Sequence, residues 1–277
     1  MALVIDSHHH FWKYSREQYG WIGEGQNILK RDFLPADLKK EIEAAKVDGV
    51  VSVQARQTVE ETRWLLELAA KNDFIRGVVG WAPLISPTVE KDLEQFAGQK
   101  KLKGVRHVLQ DEKDDRYAVR EDFVRGISSL KPFGLVYDIL IYEKQLPAAI
   151  ELVDKFPSQV FVLDHVAKPK IREKIISPWR ERMKDLARRE NVYCKLSGMA
   201  TEADHGGWEA ADLRRYVDVV LEAFGPKRLM FGSDWPVCLL AVTYQKWVTS
   251  VREFIAKLSA AEKDRIMGGT AIEAYRL

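Results

Sequence analysis

The chain predicts an α/β fold, a (β/α)8 TIM barrel formed as a single domain over residues 1–277. Three observations predict it. Eight short apolar runs recur at intervals of roughly 25–50 residues, the length of a strand, a helix and two loops. Amphipathic or polar segments fill the intervals, several with apolar residues at helical spacing. The turn after the first run reads DSHHHFW. That is the opposite of the glycine-rich phosphate turn an open doubly wound sheet usually carries there.

The runs are LVIDSH from Leu3, GVVSVQ from Gly49, IRGVVGWAP from Ile75, LKGVRHVL from Leu102, GLVYDILI from Gly134, QVFVLDHV from Gln159, VYCKLSG from Val192 and RLMFGSDWP from Arg228. All are rich in Val, Ile, Leu or aromatic residues, and most are about four to eight long, as strands buried on both faces tend to be. Helices are expected over Pro35–Ala45, where Pro suits the first turn, and over Thr58–Lys71, where Val59, Trp64, Leu65, Leu68 and Ala69 share one side. Glu143–Lys155, Pro178–Glu190, Glu209–Phe224 and Tyr244–Leu258 follow the same pattern. Ser15–Asp32, Gln110–Asp122 and Ala200–Gly207 read as loops. The first and third follow strands, so they would stand above the C-terminal face of the barrel. The charged run Gln110–Arg116 reads as a solvated loop.

Composition excludes several classes. With 43 basic and 41 acidic residues the formal net charge is +2, which points to neither a nucleic acid nor an anionic membrane as partner. No apolar run reaches the length of a membrane span. The start MALVIDSHHH lacks a basic segment followed by a long apolar stretch, so no signal peptide is expected. Cys194 and Cys238 are the only cysteines and make no disulfide framework, which fits a cytoplasmic protein.

In such a barrel the chemistry sits at the C-terminal ends of the strands. Those ends carry His8-His9-His10, Gln54-Ala55-Arg56, Trp81-Ala82-Pro83, Arg106-His107, Asp164-His165, Lys195-Leu196-Ser197-Gly198 and Ser233-Asp234-Trp235-Pro236, and Tyr137-Asp138 lies within the fifth strand. Five of the six histidines fall at three of these ends, and His205 lies in a later loop. Strict alternation puts Asp6, His8 and His10 on one face and turns His9 away. A His-x-His pair there can grip a divalent metal or serve acid–base chemistry. A polar loop or a tag remnant is the bland alternative. Neighbours on a strand face opposite ways, so Arg106 and His107 both reach a site only if the strand end twists.

DSHHHFW, GVRH, the DHVAKP segment Asp164–Pro169 and the GSDWP segment Gly232–Pro236 together resemble the amidohydrolase superfamily, in its amidohydrolase-related (amidohydrolase 2) branch. The resemblance runs from Ile5 to the terminal GGTAIEAYRL and is nearest to the sugar-lactone hydrolases, such as those opening L-fuconolactone or L-rhamnonolactone. It implies a lactonase of carbohydrate catabolism with a small sugar lactone as partner. Asp234 would be the general base that takes a proton from the attacking water. His165, His8 and His10 would polarise the carbonyl or protonate the departing oxygen, and Arg106 would hold the carbonyl or a substrate oxygen. Asp234 could also cap the following turn, and Arg106 could serve a salt bridge.

His107, Tyr137, Trp81 and Trp235 are further candidate substrate contacts; the tryptophans suit sugar-ring faces but could also merely cap the barrel top. Metal-dependent members of the superfamily usually draw a His from strand five, and GLVYDILIYE has none. Relatives that work without metal also lack it, and some use a Tyr there. Either no cofactor is required, or one zinc or manganese ion binds weakly through His8, His10, His165 and Asp234. A metal-dependent amidohydrolase or decarboxylase, a pyrone-dicarboxylate-type lactonase and a non-catalytic sugar-acid binder are the competing readings. Homo-oligomerisation is compatible with all of them.

Overall fold

The computed structural model describes residues 2–277. Eight parallel strands pair in sequence order: β1 (Ile5–His9), β2 (Gly49–Val53), β3 (Ile75–Gly80), β4 (Leu102–Val108), β5 (Val136–Leu140), β6 (Phe161–Leu163), β7 (Val192–Leu196) and β8 (Leu229–Phe231). β8 returns to β1. The Ser7 hydroxyl donates to the Phe231 carbonyl at 2.6 Å, and His9 and Trp235 form a parallel bridge just above. The expected barrel is therefore present and nearly closed.

Among the described residues ten α-helices follow the strands: α1 (Pro35–Ala45), α2 (Val59–Lys71), α3 (Val89–Glu94), α4 (Glu121–Ser128), α5 (Leu146–Lys155), α6 (Trp179–Leu186), α7 (Ala210–Phe224), α8 (Tyr244–Phe254), α9 (Ala260–Asp264) and α10 (Thr270–Tyr275). All six helices expected from the sequence are among them. Local chemistry starts several: Pro35 opens α1, and the Thr58 and Thr243 hydroxyls accept from Glu61 and Lys246 N–H groups. The segment expected as a loop from Gln110 to Asp122 instead carries short 3-10 turns and the start of α4. Phe123 and Ile127 of α4 are buried, and tertiary packing rather than a long periodic pattern holds that helix.

The outer strand faces pack against the helices through Val50, Val78, Val105, Tyr137 and Leu196. The inner faces fill the lower barrel with Ile5, Val51, Val53, Val79, Val136, Val162 and Met230. α10 closes this floor with Ala271, Ala274 and Tyr275. Gly268, just before α10, lies so close to the Leu3 carbonyl that any side chain there would collide with backbone. Packed apolar layers below thus leave only the upper end free for polar chemistry. Among the described residues, no helix is long and apolar enough to cross a membrane.

Candidate active site

β1 delivers its histidines through a bulge. Asp6 pairs with Val50 and His9 with Ser52, three residues against two. This corrects the expected alternation. Asp6 turns outward, where its carboxylate accepts from the Tyr244 hydroxyl of α8 at 3.1 Å and the Ser233 N–H at 2.8 Å. Burial raises the Asp6 carboxyl to about 6. His9 also faces outward, 2.8 Å from the Ser52 hydroxyl. His8 and His10 face the interior with their Nε2 atoms 3.2 Å apart. His10 Nδ1 is 2.8 Å from the Val53 carbonyl, which can only accept, so Nδ1 carries a proton.

The remaining groups arrive on strained backbone. His165, Val166, Ala167 and Lys168 form a left-handed turn, with φ between 46 and 59°. Left-handed backbone costs roughly 1–2 kcal/mol per L-residue, so neighbouring packing must over-determine it. The Val166 carbonyl accepts from the buried Trp179 indole at 2.8 Å, and Gly198, at φ 61°, presses on the His165 ring. His165 Nδ1 meets the Ser197 hydroxyl at 2.9 Å. Asp234 is also left-handed, at φ 59°. Its Oδ1 lies 3.4 Å from His10 Nε2, 3.8 Å from His8 Nε2 and 3.9 Å from His165 Nε2.

Burial pushes His8 well below the ordinary imidazole value and lowers His165 to about 4. Burial would raise Asp234, but the facing His165 and His10 rings hold it below the usual carboxylate range. At neutral pH the Asp234 carboxylate therefore stands beside neutral His8 and His165.

Beneath it lies a buried ionic network. Lys195 Nζ donates to Asp138 at 2.6 Å and sits 3.0 Å from Asp164 Oδ1 and 3.2 Å from His8 Nδ1. Arg106 donates to Asp164 Oδ2 at 2.9 Å and to the Gln54 carbonyl at 2.5 Å. The Tyr275 hydroxyl donates to Asp138 from below, at 2.8 Å. Two cations face two carboxylates, so the cluster is formally neutral. Burial alone would raise the Asp164 carboxyl, but Lys195 foremost, with His8 and Arg106, holds it well below the usual range. Sequence reasoning assigned Lys195, Asp138 and Asp164 no role. Charged residues in otherwise apolar strands are the signal that could have found them.

The upper end opens into a cavity of about 790 Å³. His10, Arg106, His165 and Asp234 line its floor, and Gln54, Arg56, Trp21, Gln26, Lys168 and Glu202 stand around it. His8 lies just below, fully buried. Besides His8, four of the expected site residues do not reach this cavity. Tyr137 points outward, ring against Phe123 and Phe161, because it alternates with inward Asp138. His107 alternates with Arg106, stacks on Tyr117 and bonds Glu112 at 2.8 Å. Trp81 donates to His107 at 3.4 Å, and Trp235 packs on Phe33.

His8, His10 and Asp234 could hold a divalent ion, and His8, Asp164 and His165 form an overlapping second group. For ligand bonds of about 2.0–2.2 Å, tetrahedral donors stand about 3.3–3.6 Å apart. The separations of 3.2, 3.4 and 3.8 Å within the first group bracket that spacing, so small side-chain shifts would bring the three donors onto one ion.

The amidohydrolase family model, described as Amidohydrolase, matches residues 5–277. An L-fucono-1,5-lactonase of Burkholderia multivorans is 44% identical over 287 residues, covering 100% of this chain and 97% of the relative. An L-fucono-1,5-lactonase of Burkholderia ambifaria is 34% identical, covering 100% of this chain and 97% of the relative. A crystal structure of an amidohydrolase from Burkholderia multivorans with bound zinc superposes with a TM-score of 0.96 at 43% identity, over 100% of both chains.

Proposed function

The chain belongs to the amidohydrolase family, and on that premise we propose that it opens the ring ester of a small sugar-acid lactone of the L-fuconolactone kind. The observation that carries this reading is the Asp234 carboxylate on the cavity floor, ionised and beside the neutral His165 imidazole. A water held against Asp234 gives up its proton there as its oxygen attacks the lactone carbonyl carbon. Arg106 and His165 face the same space and supply hydrogen bonds to the carbonyl oxygen as charge develops on it. The ring C–O bond then breaks, and the departing oxygen takes the proton from protonated Asp234.

A neutral polyol suits the cavity better than a dicarboxylate. Its cations are already paired: Arg106 with Asp164 at 2.9 Å, Arg56 with Glu61 at 3.7 Å and Lys168 with Glu202 at 3.9 Å. Each of these cations thus has a carboxylate within 4 Å that offsets its charge toward a second substrate carboxylate, which disfavours a pyrone-dicarboxylate substrate. The Gln54, Gln26 and Gln110 amides offer both donors and acceptors for hydroxyl groups, and exposed Trp21 offers an aromatic face. His8, His10 and Asp234 would hold a zinc or manganese ion if one binds, and the ion would supply carbonyl polarisation.

The test is a pH-indicator assay of the purified protein on five- and six-membered sugar lactones, with and without a chelator. Proton release above the spontaneous rate from L-fucono-1,5-lactone or a close stereoisomer, unaffected by chelator, is expected. Release abolished by chelator and restored by metal would favour a metal-dependent hydrolase. Silence across the panel would overturn the lactonase reading.

A further inference from the structure

Arg56 follows the end of β2, and the catalytic steps above do not use it. It lines the cavity wall with 20% of its side-chain surface exposed. Glu61, in the first turn of α2, lies behind it and is fully buried. One Glu61 oxygen does the local structural work. Oε2 accepts the Ala55 N–H at 2.9 Å and the Arg56 N–H at 2.6 Å, which pins the turn between β2 and α2. The other oxygen, Oε1, faces Arg56 Nε at 3.7 Å. Both of those atoms are buried, and neither has a hydrogen-bond partner among the described residues.

We propose that Arg56 is a specificity-determining residue of the lactonase site, donating from its terminal nitrogens to substrate hydroxyls away from the reacting carbonyl, and that Glu61 is the positioning residue that aims it. The inference rests on the lactonase reading above and deepens it.

A guanidinium has five N–H donors and no acceptor. The buried unpartnered atoms of the chain include Arg56 Nε but neither of its terminal nitrogens, and among the described residues those nitrogens donate to no protein acceptor. The fork therefore opens on the cavity that Arg56 lines. An arginine serving only as an ion pair would close on its carboxylate at about 2.7–2.9 Å. Arg56 stands off at 3.7 Å, and the buried Tyr19 ring holds its guanidinium from another side, 5.4 Å from the ring centroid. The side chain is fixed by Glu61 and Tyr19 and free toward the cavity.

Its place is apart from the reacting groups. His10 and His165 gather within 3.9 Å of Asp234 Oδ1, and Arg106 is tied to Asp164. Among the described residues, no hydrogen bond or ion pair joins Arg56 to any of them. Arg56 therefore meets the part of the sugar ring that the reaction leaves alone, its hydroxyls. A planar fork can donate to two neighbouring hydroxyl oxygens at once. An epimer that turns one of them away leaves a desolvated donor unpaired, and the site rejects it for that reason.

The experiment measures kcat and KM on the best lactone and its single-hydroxyl epimers for wild type, Arg56→Met, Glu61→Gln and the double variant. Arg56→Met should raise KM for the best lactone by a factor on the order of ten to a hundred, with kcat changed much less, and its preference over one epimer should shrink similarly. Glu61→Gln should weaken the same preference and add nothing to that loss in the double variant, because it acts through Arg56. A merely structural Glu61 would leave the epimer preference unmoved. Unchanged KM and unchanged preference in Arg56→Met would overturn the proposal, and so would a fall in kcat alone, which would put Arg56 among the reacting groups. If Glu61→Gln does not fold, the Arg56→Met comparison alone decides. If the wild type turns over no lactone, the lactonase reading fails separately, and calorimetric titration with the same lactones takes over. Weaker binding by Arg56→Met than by wild type would then support the role of Arg56, and equal binding or none would overturn it.

Discussion

The Asp234 N–H donates to the His8 carbonyl at 2.8 Å, so the last strand hands its carboxylate directly to the first strand's histidine pair. One residue further on, the His10 N–H returns a bond to the Trp235 carbonyl at 2.7 Å. These bonds join the two ends of the sheet and assemble the site in the same step. The sheet edges meet where the proposed base and its imidazoles stand, so closure and chemistry share one seam.

Asp234→Asn should test the base directly. The substitution keeps the backbone bond to His8, so the melting temperature should stay near wild type. Turnover on the best lactone should fall by a factor on the order of 10²–10⁴. Steady-state proton release checks this, and a near-wild-type rate would sink the assignment.

Gly198→Ala should misplace His165. A Cβ there would lie 2.5 Å from His165 Nδ1, and the residue sits at φ 61°. The ring must leave the Ser197 hydroxyl or the backbone must shift, at a cost of about 1–3 kcal/mol. Denaturant unfolding should show the loss, and turnover should drop with it. Unchanged stability and unchanged rate together would mean the turn is looser than its geometry.

Tyr137→Phe should leave lactone turnover and KM unchanged, because the ring packs between Phe123 and Phe161, outside the cavity. A rise in KM would return Tyr137 to the substrate site.

Glu61→Gln should flatten part of the pH dependence of stability. The Glu61 carboxylate accepts the Ala55 and Arg56 N–H groups and is fully buried, and burial raises it from 4.5 to about 7. The folded protein therefore holds the proton more tightly than the unfolded chain. The stabilisation is complete below pH 4.5 and lost as pH rises through 7, on the order of 3 kcal/mol. Glutamine cannot ionise, so the gap between wild type and variant should change across that window. Melting curves at several pH values measure it, and a constant gap would contradict the shift.

The sequence by itself determined the barrel and most of the cavity floor. Apolar runs at strand length followed by helical patterns are local signals, and a (β/α)8 barrel places the residues after each run at one end. His10, Arg106, His165 and Asp234 were legible for that reason, and alternation correctly separates Arg106 from His107.

Tertiary structure alone decided the rest. The bulge that turns Asp6 outward depends on pairing with β2, a chain segment more than forty residues away. Lys195, Asp138 and Asp164 look like isolated charges in three separate strands. They become one neutral network only when barrel closure brings the inner faces of β5, β6 and β7 together around His8. Trp81 and Trp235 follow strand ends as substrate-stacking residues would, yet loop packing turns them into neighbours of His107 and Phe33. Side-chain direction within a strand is a local property. Cross-strand register, the hand of a strained turn and the partner of a buried charge are set by what the closed barrel packs against them.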